Sequence, residues 1–148
     1  MLRRHEPALV AVDSPCSVAP PGRLREGERR LRHAVCGIRW TPDRPTLDGS
    51  SPYYEWIRLG LALYEALRRD GWEWIEVFPT ASWTRWAGPR QGSRAAWTTA
   101  AVSKLGLHGL PARMSQDVRD AIAAAATARQ HALGETEAFD AIVVPRPH

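Results

Sequence analysis

The sequence predicts an α/β layered domain, and three observations carry that prediction. Leu9-Val10-Ala11-Val12-Asp13 is a short β-forming run stopped by Ser14-Pro15. Ser51 to Gly71 reads as an amphipathic helix. Directly after it, Trp72-Glu73-Trp74-Ile75-Glu76-Val77-Phe78 reads as a second strand, ended by Pro79. Strands separated by helices bury their apolar faces by layering. A chain of 148 residues suits one such domain, residues 1–148, with a real core.

Taken in order, residues 8–13 form the first strand, because Leu9, Val10 and Val12 are β-formers and the run is too short for a helix. Ala19-Pro20-Pro21-Gly22 is an irregular loop. Arg23 to about Ala34 is a polar helix anchored by Leu24 and Leu31, and a long loop follows from Cys36 to Ser50. In the next helix Ser51 is the cap, Pro52 suits the first turn and Glu55 complements the dipole. Tyr53, Ile57, Leu61, Tyr64 and Leu67 recur at helical spacing, and Gly71 closes the helix. The apolar residues of 72–78 fall on both parities, as in a strand covered on two faces rather than an edge. Ala81 to Trp86 is a short helical turn, and Ser93 to Leu105 a helix ended by Gly106. After a connector over 106–114, Ser115 caps a helix from Gln116 to about Leu133, with Gly134 as its stop. Phe139 to Pro145 is a short final strand or strand-like tail, and no internal repeat is present.

Composition narrows the function classes. Apolar residues make up 44% and charged residues 24%, the balance of a globular domain. No run approaches the ~20 apolar residues of a membrane span. Met1-Leu2-Arg3-Arg4-His5-Glu6 is not followed by the apolar segment of a secretory signal. Cys16 and Cys36 have no CxxC spacing, so reduced thiols in a cytoplasmic protein are expected. Residues 1–44 hold nine arginines against five acids, while residues 45–148 hold eleven charges of each sign. The net +4 therefore sits in the first third, where an arginine-rich segment either contacts phosphates or forms a solvated helix face. Nineteen arginines to one lysine, Lys104, also fits a base-composition bias.

The acids carry the chemistry. Asp13 ends a buried strand, a position that costs free energy unless a negative charge is needed there, although Asp-Ser-Pro also opens turns. Glu76 lies among large apolar neighbours; it is a functional carboxylate, the partner of an arginine, or part of an edge-strand face open to water. Asp117 and Asp120 share one face of a helix, where Asp117 also serves the helix dipole and Asp120 borders an alanine-rich stripe. Carboxylates held together repel unless a cation lies between them. Hard cations such as Mg²⁺ or Mn²⁺ take such oxygen ligands and activate water for phosphodiester cleavage. There is no GxSxG, no HExxH and no phosphate-cradling glycine loop, and the five histidines are scattered.

In order and spacing, four segments resemble the DUF429 family of predicted nucleases with an RNase H-like fold. They are Val10-Ala11-Val12-Asp13-Ser14-Pro15, Gly27-Glu28-Arg29-Arg30-Leu31-Arg32, Ile75-Glu76-Val77-Phe78-Pro79-Thr80-Ala81-Ser82-Trp83, and Asp117 to Ala125 with Thr127-Ala128-Arg129. The resemblance implies an RNase H-like mixed sheet flanked by helices. It also implies Asp13, Glu76 and Asp120 as metal ligands, Asp117 as a fourth catalytic acid, and Mg²⁺ or Mn²⁺ as the cofactor. Arg39, Arg94 and Lys104 are its candidate nucleic-acid contacts; Ser93-Arg94 stands where the family often has Ser-Lys. Proteins of this fold begin with a β-hairpin bearing an essential aspartate, and here the chain starts just before the Asp13 strand. The expectation is an N-terminally truncated form, a start placed too late, or a non-catalytic remnant. A truncated form would recruit a strand from a partner or a second copy.

Two functions follow. The first is a metal-dependent nuclease hydrolysing nucleic-acid phosphodiester bonds. The second is a non-catalytic binding or assembly module of the same fold. In the second, the seven tryptophans serve as core or partner contacts; core packing is the expectation for them, with stacking on unpaired bases as the alternative.

Overall fold

The computed structural model describes residues 9–147. Ala8, Met1–Glu6 and the terminal His148, all read above, lie outside the described residues. The described chain is a mixed α/β layer structure with a four-stranded sheet and six α-helices. The elements are β1 (Val10–Val12), α1 (Glu26–Ala34), α2 (Arg44–Leu47), α3 (Glu55–Arg69), β2 (Trp74–Val77), α4 (Pro79–Ala87), α5 (Arg94–Ser103), α6 (Gln116–Ala132), β3 (Thr136–Phe139) and β4 (Ile142–Pro145). The strand order is β1-β2-β4-β3; β1, β2 and β4 run parallel, and β3 pairs antiparallel with β4.

Local chemistry explains most boundaries. Ser93 and Ser115 cap α5 and α6 by accepting from Ala96 N–H and Val118 N–H. Ser51 caps as expected, but its oxygen accepts from Tyr53 N–H at the head of a 3₁₀ turn, Pro52–Tyr54, which leads into α3. Pro79 does end β2, and it also opens α4, where a proline needs no amide partner. The loop 36–50 contains α2, capped by Asp43. Leu24 is no helix anchor: it lies before α1 and is 43% exposed, whereas Leu31 is fully buried. Of the expected helical stripe, α3 buries Ile57, Tyr64 and Leu67 together with Gly60, while Leu61 is half-buried and Tyr53 is exposed. The last segment is a two-strand hairpin rather than one strand. Its two-residue turn places Asp140 at φ 55, a backbone region that aspartate tolerates.

The register sorts side chains between two faces. Val12 is level with Glu76, and Glu76 with Ile142, so these three share one face. Ile75, Val77 and Val143 occupy the other and pack on Ala124 and Ala128 of α6, joined by Leu9 and Ala11. Val12 packs with Tyr64 and Leu67 of α3, while Leu31 of α1 meets Phe139, Ile142 and Val144. A fourth cluster around fully buried Trp83 ties α4, α5 and α6 together. β2 is interior and covered on both faces, as its sequence predicts. Among the described residues no helix is long and apolar enough to cross a membrane.

Candidate functional site at the strand ends

A cleft of about 870 Å³ opens at the carboxyl ends of β1 and β2, where α4 begins. This is where open α/β sheets place ligands. Asp13, Ser14, Phe78, Thr80, Trp56 and Trp97 are among its walls, and Arg32, Arg39, Arg90 and Arg94 also line it.

The acids divide into two groups, and the pleat is the reason. Glu76 is on the α3 face of the sheet with Val12, so Asp13, the next residue, points to the α6 face. Glu76 is buried and held by Arg25 through two parallel hydrogen bonds, Nη1 to Oε1 at 2.8 Å and Nη2 to Oε2 at 2.6 Å. Cys16 N–H donates to the same Oε2 at 2.9 Å. Arg25 also donates to Glu28 at 3.2 Å, and Glu28 accepts from the amide and the hydroxyl of Thr41. Desolvation alone would lower the Arg25 pKa, but the hydrogen bonds and charge of Glu76 outweigh it and raise it above its ordinary value. Burial, then the neighbouring Glu76, pushes the Cys16 thiol up to about 12, so Cys16 is no nucleophile at neutral pH.

On the other face Asp13, Asp117 and Asp120 line one groove beside α6. Both oxygens of Asp120 are engaged: Oδ1 accepts from Trp83 Nε1 and Gln116 Nε2, each at 3.0 Å, and Oδ2 from Arg94 at 3.0 Å. Arg94 is in turn fixed by Thr80 Oγ1 at 2.7 Å. Asp13 stays open to solvent on one side while the groove walls crowd the rest of it. That desolvation, and next the charge of Asp120, lifts its pKa to about 6; Arg94 works against the rise and Asp117 adds to it.

The predicted site is therefore brought together in part. Asp13, Asp117 and Asp120 line one groove. Asp13 also lines the strand-end cleft with Glu76, whose carboxylate is paired with Arg25. Among the described residues no three His, Cys, Asp or Glu side chains are grouped to hold a metal ion. The side chains as arranged do not by themselves form the three-acid cage that Asp13, Glu76 and Asp120 would need. Arg39 and Arg94 do reach the cleft, but Lys104 does not line it; it caps α5 at the end opposite Arg94, ~15 Å along the helix. Arg25, Thr41, Arg32 and Arg90 were not legible as site residues. Arg25 and Glu28 stand three apart, but the pairing of Arg25 with Glu76 spans 51 positions. No family model, no curated protein and no solved structure matches this chain.

Proposed function

We propose that the protein is a nucleic-acid-binding module of RNase H-like architecture that holds a phosphate backbone in the strand-end cleft without cleaving it. One observation carries this reading: Glu76, the acid a hydrolytic metal site would require, is fully occupied by Arg25. With Glu28 and Glu76 neutralised inside the wall, three exposed arginines face the cleft. Among the described residues Arg32, Arg39 and Arg90 make no ion pair. Arg32 lies over the Trp40 ring at 5.0 Å, and Arg39 donates to the Tyr53 hydroxyl at 3.2 Å, which orients both. The amino end of α4 adds peptide dipoles that favour an anion beside Thr80. Helices covering both faces of a sheet with a parallel centre and an antiparallel edge support the RNase H-like reading.

A fluorescence-anisotropy titration with a single-stranded oligonucleotide tests the proposal. The wild type binds, and the Arg39→Ala/Arg90→Ala double variant binds at least about tenfold more weakly at every sequence tried. Equal binding by both proteins, or cleavage of the oligonucleotide by the wild type, overturns it. Cleavage would favour the second reading, a metal-dependent phosphodiesterase using Mg²⁺ or Mn²⁺. The observation on its side is the Asp13 carboxyl, whose ionisation is opposed first by burial and then by Asp120 and Asp117. Such an activity would disappear in Glu76→Gln if Glu76 took part.

A further inference from the structure

We infer that the open edge of β1 is the joint of a symmetric dimer, in which β1 of one copy pairs antiparallel with β1 of a second copy. Among the described residues β1 has a neighbour on one side only. Val10 N–H donates to Glu73 at 2.9 Å, so in a parallel ladder Val10 and Val12 turn their backbone groups toward β2. Ala11 therefore turns both its N–H and its C=O outward. An edge of this kind, in an otherwise covered sheet, is a template for another strand.

The edge also lies between two helices, each of which carries exposed apolar residues. α3 covers the face of Val10 and Val12, and it leaves Trp56, Leu59 and Leu63 exposed. α6 covers the face of Leu9 and Ala11, and its exposed Ala121, Ala125 and Ala132 flank the groove beside the edge. A strand added to β1 would run between these helices.

Charge selects the occupant and its direction. α6 runs opposite to β1: Asp117 and Asp120 act on Asp13 at the carboxyl end of the strand, and Ala132 shares a cleft with Leu9 at the other end. The groove is thus acidic at one end and carries Arg129 toward the other. Arg129 is exposed and makes no ion pair among the described residues. A two-fold axis at Ala11 brings the acidic end of one groove over the Arg129 end of its mate, twice over. Ala11 then exchanges two hydrogen bonds with Ala11 of the second copy, and the sheets join into one of eight strands. A closed, self-complementary contact of this type stops at two copies.

Sedimentation equilibrium tests the inference. The wild type should sediment as a dimer of twice the chain mass. Ala11→Pro removes the outward N–H without touching the ladder to β2, so it should yield a folded monomer with unchanged circular dichroism. Asp117→Arg and Arg129→Glu should each weaken the dimer by about tenfold, and combining them should restore it. If Ala11→Pro does not fold, this charge exchange carries the test alone. A wild type that remains monomeric at submillimolar concentration overturns the inference. So does a dimer indifferent to Ala11→Pro and to both charge reversals. A monomer whose Ala11 amide resists hydrogen exchange also overturns it, because another segment would then occupy the edge.

Discussion

A buried guanidinium costs several kcal/mol to desolvate, and Arg25 recovers this only because Glu76 meets it with two parallel hydrogen bonds while Glu28 takes part of its charge. Glu76→Gln keeps the shape and removes the charge, leaving a buried cation with only Glu28 beside it. We expect it to destabilise the fold by about 3–5 kcal/mol in urea denaturation. Arg25→Met with Glu76→Leu should recover most of that loss, since an apolar pair needs no compensation. A Glu76→Gln protein as stable as wild type would mean that the ion pair is not what this glutamate is for. Asp13 gives the opposite signature. Its carboxyl is held more protonated in the folded chain, at a pKa of about 6 against an ordinary 3.8. Folding therefore takes up a proton between roughly pH 4 and pH 6, so stability is greatest below that window and falls as pH rises through it. Asp13→Asn should match wild type near pH 4 and exceed it at pH 7 in thermal unfolding, the gap opening through that window. Parallel curves would place Asp13 in an ordinary aqueous setting.

Elements were legible in the sequence where a cap and a period agreed. Ser51, Ser93 and Ser115 each mark a helix start, and the double-parity apolar run before Pro79 marks an interior strand. The hairpin was not legible, because Thr136-Glu137-Ala138 is a poor β-forming run and Asp140-Ala141 lacks the Asn-Gly or Asp-Gly signal. β3 exists because β4 and α1 hold it. There Gly27 of α1 sits so close that an added Cβ would lie 2.3 Å from the Phe139 carbonyl oxygen. Gly27→Ala gains up to ~1 kcal/mol of helix propensity but must displace a backbone atom that cannot swing away. The net effect should be a loss of about 1–3 kcal/mol, read from denaturation midpoints. Gly37→Ala, with nothing within 4 Å of its added Cβ and no helix to support, should change little. The site was half legible for a related reason. Helix spacing relates Asp117 to Asp120, but which face of the sheet Asp13 and Glu76 take depends on the register between β1 and β2. A one-residue slip in that register would bring Asp13 and Glu76 to the same face.

At the scale of the whole molecule, the positive charge concentrated in residues 1–44 reaches the cleft, among the described residues, at Arg32 and Arg39. Arg90 and Arg94 arrive from the later, neutral part of the chain. Arg25 belongs to the same basic segment but is consumed inside the wall by Glu76 and Glu28, and Arg29 pairs with Glu26 on the surface. Net charge thus overstates the field a ligand meets, and the uncommitted arginines are the better measure. If Arg32, Arg39 and Arg90 each neutralise one phosphate of a single strand, the logarithm of affinity should fall against the logarithm of salt with a slope of about −2. Arg39→Ala with Arg90→Ala should flatten that slope by about 1.4, whereas Arg29→Ala, equally basic by sequence, should leave it unchanged. Anisotropy titrations across a salt series separate the outcomes. A steep slope that survives the loss of Arg39 and Arg90 would move the nucleic-acid surface away from the strand ends. A slope near zero would mean that the ligand of this cleft is held by something other than its phosphates.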